Sequence, residues 1–310
     1  MKSLAIIVPC FNEEEVVQEI YERIKGAITN LPYETSIIFI NDGSIDDTLN
    51  RLKDIASNDQ CVKIINFSRN FGHQSAVTAG INHCQTDLAV IIDADLQDPP
   101  EIIPDMLQTM EQEKANVVYC VRKSRTGENT FKLWSAKVFY RMLNKLSEVK
   151  FPVNTGDFRL IDSNIIREFN RLKEKGKYIR GLISWVGFKQ VPFYYERETR
   201  FAGTTKYSLK RMIALASKAL LYFSKKPLLM AASLGFTAVA IGIILALWFV
   251  FGKIFGYTNA ESGFTALMIT AIFFGGIQLL TIGVLGQYIG ILFDEVKERP
   301  EYIIEDTYNF

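Results

Sequence analysis

Two aspartates stand two residues apart where an apolar run ends, in Val90-Ile91-Ile92-Asp93-Ala94-Asp95-Leu96-Gln97-Asp98-Pro99-Pro100. Side chains at i and i+2 of an extended segment point the same way. The spacing therefore predicts that Asp93 and Asp95 offer carboxylates to one point at the carboxyl end of a strand. Hard oxygen ligands of this kind suit Mg²⁺ or Mn²⁺, ions commonly bound together with a substrate's phosphates. Gln97 is either a further contact there or a solvent-facing turn residue. The competing reading of the aspartate pair is an N-cap ahead of the helix that starts near Pro99. Two more polar clusters follow apolar runs: Asn12-Glu13 and Asn41-Asp42-Gly43-Ser44.

The elements that must carry these clusters alternate. Leu4–Pro9 reads as a strand, and Asn12 as the cap of a helix through Glu13-Glu14-Glu15 to about Thr29. Thr35–Ile40 is a second strand, and Asp46-Asp47 opens a helix to about Ala56. Val62–Asn66 is a third strand, with a helix over Gln74–Asn82. Leu88–Asp93 is a fourth, followed by a helix over Ile102–Lys114 and a strand over Ala115–Val121. Strand–helix alternation implies right-handed crossovers and a mainly parallel, Rossmann-like α/β sheet. Ligands of such sheets gather beyond the carboxyl ends of the strands, where all three clusters fall. No GxGxxG follows a strand, and no GxxxxGK[ST], GxSxG or HExxH is present. A dinucleotide fold, a P-loop ATPase and the common hydrolase sites are thereby disfavoured.

Net charge is +1 over 310 residues, so no global attraction to nucleic acid is implied. The charge is uneven: from Arg200 to Lys226 there are seven Lys or Arg and no acid. Cys10, Cys61, Cys84 and Cys120 lack CxxC spacing and read as buried reduced thiols, which favours a cytosolic setting. The only histidines, His73 and His83, sit in no ligand-spaced cluster, so a zinc site is disfavoured.

Leu228–Phe251 and Phe264–Phe293 are uncharged and each long enough to cross a bilayer core, which takes about 20 residues. The alternative is a pair of buried core helices. Lys218, Lys225 and Lys226 precede the first run, Lys297 and Arg299 follow the second, and the connector holds only Lys253 and Glu261. That bias predicts cytoplasmic termini around a membrane hairpin. Residues 206–226 form a basic amphipathic segment that fits a helix lying on the membrane surface. Residues 131–149 carry a similar pattern, equally compatible with an ordinary core helix. The expected organisation is a catalytic unit over 1–205, the juxtamembrane helix over 206–226, the hairpin over 227–293 and a tail over 294–310.

Val8-Pro9-Cys10-Phe11-Asn12-Glu13, Asn41-Asp42-Gly43-Ser44, Ser68-Arg69-Asn70-Phe71-Gly72-His73, Asp93 to Pro100 and Gly156-Asp157-Phe158-Arg159-Leu160 occur in one order along the chain. Together they resemble family 2 glycosyltransferases of the GT-A fold. With Arg200-Phe201-Ala202-Gly203-Thr204-Thr205-Lys206-Tyr207 and two C-terminal spans, the chain is most similar to polyprenyl-phosphate glycosyltransferases, bactoprenol glucosyltransferases among them. Dolichyl-phosphate mannose synthases are more distant. Thr205 departs from the serine common there but keeps the hydroxyl. The resemblance implies inverting transfer of a sugar from a nucleotide sugar, preferably glucose from UDP-glucose, to polyprenyl phosphate at the cytoplasmic face of the inner membrane. It also implies a homo-oligomer, a tetramer in relatives. Mannose and modified-arabinose donors remain open, as does a non-catalytic membrane subunit that binds sugar or lipid. A processive synthase is disfavoured, for want of more spans and a Q-x-x-R-W motif.

The same resemblance distributes roles. Asp95, with Asp93 beside it, takes the metal, although Asp93 in similar enzymes often faces the nucleotide. Asp42 takes the nucleotide, or only forms the turn. Pro9 and Glu13 line the same pocket, Glu13 being equally a first-turn helix acid. Arg69 reaches toward the donor or makes a surface ion pair. Asp157 is catalytic, orienting substrate or steadying positive charge at the anomeric carbon, or caps a loop. Arg200 and Lys206 capture a lipid phosphate or diphosphate, or grip anionic lipid.

Overall fold

The structure is a computed structural model that describes residues 1–123, 155–196, 224–256 and 263–310. The chain runs β1 (Ser3–Cys10), α1 (Val17–Ile28), β2 (Glu34–Asn41), α2 (Thr48–Asn58), β3 (Val62–Phe67), α3 (His73–Asn82), β4 (Leu88–Ile91), a short 3₁₀ turn (Pro100–Ile102) and α4 (Ile103–Glu113). It continues through β5 (Val117–Arg122), β6 (Thr155–Asp162), α5 (Ser163–Arg171), α6 (Ile179–Val186), β7 (Gln190–Tyr195), α7 (Lys226–Ile254), α8 (Gly263–Val296) and β8 (Ile304–Tyr308). The eight strands make one sheet in the order β7-β5-β6-β4-β1-β2-β3-β8. Its centre is parallel, as alternation requires, through the pairs β1–β2, β1–β4 and β2–β3. β6 enters antiparallel between β4 and β5.

β1 is buried on both faces because helices cover both. Leu4, Ile6 and Val8 pack with Val17, Ile20, Ile24 and Ile28, the apolar stripe of α1. On the other face α3 lies so close that a Cβ at Gly80 would come within 2.3 Å of Ile7 Cγ2.

Several local expectations change. Asn12 does not cap α1: its φ is 54°, its side chain accepts from Ile45 N, and the helix starts at Val17 with no side-chain cap. At α2 the N-cap Asp47 makes no side-chain cap bond, and Asp46 just before it accepts from Thr48 N and Thr48 Oγ1 instead. β4 ends at Ile91, short of Asp93. Cys10, Cys84 and Cys120 are buried free thiols, but Cys61 is exposed.

The largest addition is β8. Residues 294–310 read from sequence as a tail, yet Ile304–Tyr308 pairs antiparallel with β3 and closes that edge of the sheet. The described residues up to 196 together with 299–310 form one compact unit, and 224–298 form another. The second unit is the helix pair α7 and α8, of 29 and 34 residues, both apolar and long enough to span a membrane. Phe236, Trp248 and Leu279 are 79%, 70% and 72% exposed, so these are not the core helices of a water-soluble fold. The expected surface helices at 131–149 and 206–226 lie outside the described residues, except for 224–226.

Candidate active site

Four loops leave the carboxyl ends of β1, β2, β3 and β4 along one edge of the sheet. The antiparallel β6 brings its first residues to the same edge. Ile91 pairs with Arg159, so two steps further on Asp93 faces Asp157. His73, the first residue of α3, completes the group.

His73 Nε2 lies 3.0 Å from Asp157 Oδ2 and 3.6 Å from Asp93 Oδ1. One ligand atom from each of His73, Asp93 and Asp157 falls within 4.8 Å of the others. Arg180 on α6 grips Asp157 as a fork, Nε to Oδ1 at 2.7 Å and Nη2 to Oδ2 at 3.2 Å, and donates Nη1 to Thr155 O. Arg159 Nη2 stands 3.9 Å from Asp157 Oδ1. Gln74 donates to Asp157 and accepts from Ile179 N, so α3 and the start of α6 share one polar seam.

These contacts fix the charges. Burial alone would push the Asp157 carboxyl up, but Arg180 and His73 hold it well below the usual carboxylate range. Desolvation works against a charged His73 ring, yet Asp93 and Asp157 raise it to about 9. Burial pushes Asp93 up to about 6, against His73, with Asp157, Asp98 and Asp95 adding to the rise. Asp157 is thus already neutralised by arginine, while Asp93 has only the His73 ring, 3.6 Å away and shared with Asp157, as a counter-charge.

A divalent cation fits that imbalance. Asp93 Oδ1 is buried with no hydrogen-bond partner among the described residues. The surrounding donors are the carboxylate oxygens of Asp93 and Asp157, the chemistry hard cations take, together with the His73 ring nitrogen. Asp95 Oδ1 accepts from Gln97 N at 3.2 Å, and a carboxylate keeps further acceptor sites. Asp95 lies outside the tight His73–Asp93–Asp157 group. With β4 ended at Ile91 and Leu96 at φ 58°, the loop no longer follows strand alternation. Asp98 anchors that loop, buried and accepting from Tyr195 Oη.

Asp42 is 2% exposed. Its oxygens accept from Phe71 N at 2.7 Å, Gly72 N at 3.0 Å and Asn70 Nδ2 at 3.0 Å, binding the β2 and β3 loops together. The two loops nearly touch: a Cβ at Gly43, where φ is 63°, would lie 2.2 Å from the carbonyl carbon of Arg69. Arg69 is exposed and stacks its guanidinium 4.0 Å from the Phe71 ring centroid. Pro9 is buried, two residues past the last β1–β4 pair, where the ladder to β4 no longer needs its missing N–H. Glu13 is half-buried at the same edge and donates its backbone N–H to Thr48 Oγ1. Arg200 and Lys206 lie outside the described residues.

Replacing Gly43 by Ala is expected to push the two loops apart and weaken whatever they hold. Asp42→Asn leaves amide donors facing an NH₂ group, which costs about 1–3 kcal/mol. Thermal melts with and without nucleotide check both; unchanged melts would mean the loops are not coupled.

Sequence reasoning missed three members of this site. His73 was set aside for lack of neighbouring ligands in sequence. Gln74 and Arg180 carried no motif. One signal was present: His73 closes the Ser-Arg-Asn-Phe-Gly-His run that follows β3, one more polar cluster at a strand end.

The glycosyl transferase family 2 description matches residues 5–169. An uncharacterized glycosyltransferase of Bacillus subtilis is 43% identical over 304 residues, 98% of this chain and 94% of its own length. The SfII prophage-derived bactoprenol glucosyl transferase of Shigella flexneri is 36% identical over 306 residues, 98% of each chain. Among solved structures, glucosyl-3-phosphoglycerate synthase from Mycobacterium tuberculosis with Mn²⁺, UDP-glucose and phosphoglyceric acid is 19% identical, with a TM-score of 0.48 over 71% of this chain and 78% of that one. A GT-A-like α/β sheet, acids collected at its strand ends, and full-length relatives together make this chain a member of glycosyl transferase family 2.

Proposed function

We propose that this protein transfers a hexose, glucose from UDP-glucose, to polyprenyl phosphate with inversion at the anomeric carbon. The observation that carries the reading is 36% identity, over 98% of both chains, to a bactoprenol glucosyl transferase. An acidic edge with one under-neutralised carboxylate, on a chain that also carries two outward-facing apolar helices, supports it.

Asp93 and Asp95 are the residues that would hold Mg²⁺ or Mn²⁺, with Gln97 as a further contact. When bound, the cation supplies positive charge for the leaving diphosphate without any proton transfer. The chain's own residues do the rest. The Asp42 carboxylate holds the Asn70–Gly72 loop against β2, shaping the nucleotide pocket that Pro9, Glu13 and Arg69 border. Asp157 stays ionised, so it is a poor proton acceptor. An anionic phosphate acceptor needs no general base, and Asp157, its charge met by Arg180 and His73, instead orients the sugar or the acceptor. Arg200 and Lys206 receive the lipid phosphate. The division into catalytic unit, juxtamembrane helix, hairpin and C-terminal segment follows.

In this reading α7 and α8 cross the bilayer, and the return of the chain to the sheet as β8 supports both termini lying on one side of it. The basic residues flanking the helices assign that side to the cytoplasm, at the inner membrane. A homo-oligomer, a tetramer, is part of the same reading.

The test is release of UDP by purified protein supplied with Mg²⁺ or Mn²⁺ and UDP-glucose. Release is expected only when polyprenyl phosphate is added. A panel of labelled nucleotide sugars, read as labelled lipid, decides the donor. Donor binding with no transfer to any lipid phosphate would overturn the enzymatic reading in favour of a binding subunit.

A further inference from the structure

The segment that follows α8 touches both halves of the candidate site. Tyr302 lies flat on Phe67, ring centroids 5.0 Å apart and planes 11° from parallel. Phe67 meets Phe71 edge-on at 5.7 Å, and Phe71 N is the shortest donor to Asp42. The next residue, Ile303, accepts from Ser68 N at 3.1 Å, beside Arg69. Asn82 at the end of α3 donates to Tyr302 Oη at 3.0 Å, so the ring is pinned from two sides.

Glu301 reaches the other half. Its Oε2 stands 4.0 Å from Lys177 Nζ, with side chains 13% and 6% exposed. Lys177 also lies over the Phe169 ring at 5.0 Å. Two residues on, Ile179 N binds Gln74, and Arg180 then forks onto Asp157. With the pair so little exposed, removing either charge leaves the other buried and uncompensated, which is costly. Three consecutive residues thus brace the loop that holds Asp42 and the turn that launches Arg180.

We infer that Glu301, Tyr302 and Ile303 are positioning residues of the donor site, acting through Phe67 and Phe71 on the Asp42 loop and through Lys177 on Arg180 and Asp157. The inference deepens the function proposed above and rests on it for the identity of the donor. Its mechanism is a population argument. If the loop is competent only while braced, loosening it lowers the competent fraction, and the apparent affinity falls by the same factor. The stack on Phe67 limits the size to about three- to tenfold.

Full-length protein in detergent or nanodiscs is titrated with UDP-glucose as wild type, Tyr302→Ala, Tyr302→Phe and Glu301→Gln. Tyr302→Ala is expected to weaken UDP-glucose binding by about three- to tenfold, with KM moving more than kcat. Tyr302→Phe keeps the stacked ring and restores wild-type affinity. Glu301→Gln lowers kcat and leaves KM for the donor in place, because it loosens the Arg180 turn and not the nucleotide loop. Hydrogen exchange at Phe71 and Gly72, measured without ligand, speeds up in Tyr302→Ala alone. If Tyr302→Ala does not fold, Tyr302→Leu, which keeps apolar cover over Phe67 but not the stack, carries the same expectations. Equal affinity and equal exchange in the Ala (or Leu) and Phe variants overturn the inference. Wild type that binds no nucleotide sugar while Phe71 and Gly72 still respond to Tyr302→Ala sinks the donor reading instead, leaving the brace itself supported.

Discussion

Arg180→Met is expected to reduce kcat by about 10²-fold and to destabilise the protein by about 3–5 kcal/mol. Arg180 is the fork that keeps the buried Asp157 ionised. Without it, burial of that carboxyl is opposed mainly by His73, and its pKa rises. The pH dependence of stability then weakens. In the wild type the Asp157 pKa is depressed, so its contribution to stability is full above the unfolded value and is lost as pH falls through the folded one. In the variant His73 and Arg159 still face the carboxyl, so its pKa is depressed less and that contribution shrinks. Melting curves at acid and alkaline pH should therefore show the gap between variant and wild type widening with pH. Arg180→Lys keeps the charge but not the planar fork and should recover only part of kcat. A variant that melts and turns over like wild type at every pH would show that Asp157 does not depend on Arg180.

The second large effect is at the Asp93–Asp95 loop, proposed above to hold the cation. Asp95→Ala is expected to lower kcat/KM by about 10³-fold, the scale of several kcal/mol of charge stabilisation. Asp93→Asn should come close to it, since it removes the charge and preserves the shape. Chelation should weaken nucleotide-sugar binding in wild type and leave Asp95→Ala unmoved. A proton competes with the cation for Asp93, whose pKa is raised to about 6. Apparent metal affinity in the wild type should therefore fall as pH drops through that value. Unchanged turnover in Asp95→Ala would falsify its assignment as a ligand.

The two predictions draw on different kinds of information. The acidic strand end carrying Asp93 was legible because an apolar run with acids at its end is a local pattern, although Asp95 lies outside the tight group. Arg180 was not, because nothing local marks it: it meets Asp157 only once α6 packs on α5, which itself lies against β6, across 23 residues of chain. His73 is the intermediate case. Its place after β3 is local, but its partners Asp93 and Asp157 arrive from 20 and 84 residues away. The cap assigned to Asn12 failed for a related reason. Asn12 had a better bond available to Ile45 in the neighbouring loop, a tertiary alternative that helix propensity does not see.

By itself the sequence determined the alternation of strands and helices, the parallel centre of the sheet, the edge on which the acids gather and the two span-length helices. These depend on hydrophobic periodicity and run length, which are properties of neighbours in the chain. Tertiary structure alone decided the His73–Asp157–Arg180 charge network, the enclosure of Asp42 by backbone amides, and the return of Ile304–Tyr308 to the edge of β3. Each joins residues far apart in sequence, and each depends on desolvation and on distances of a few ångströms, which come into existence only when the elements pack.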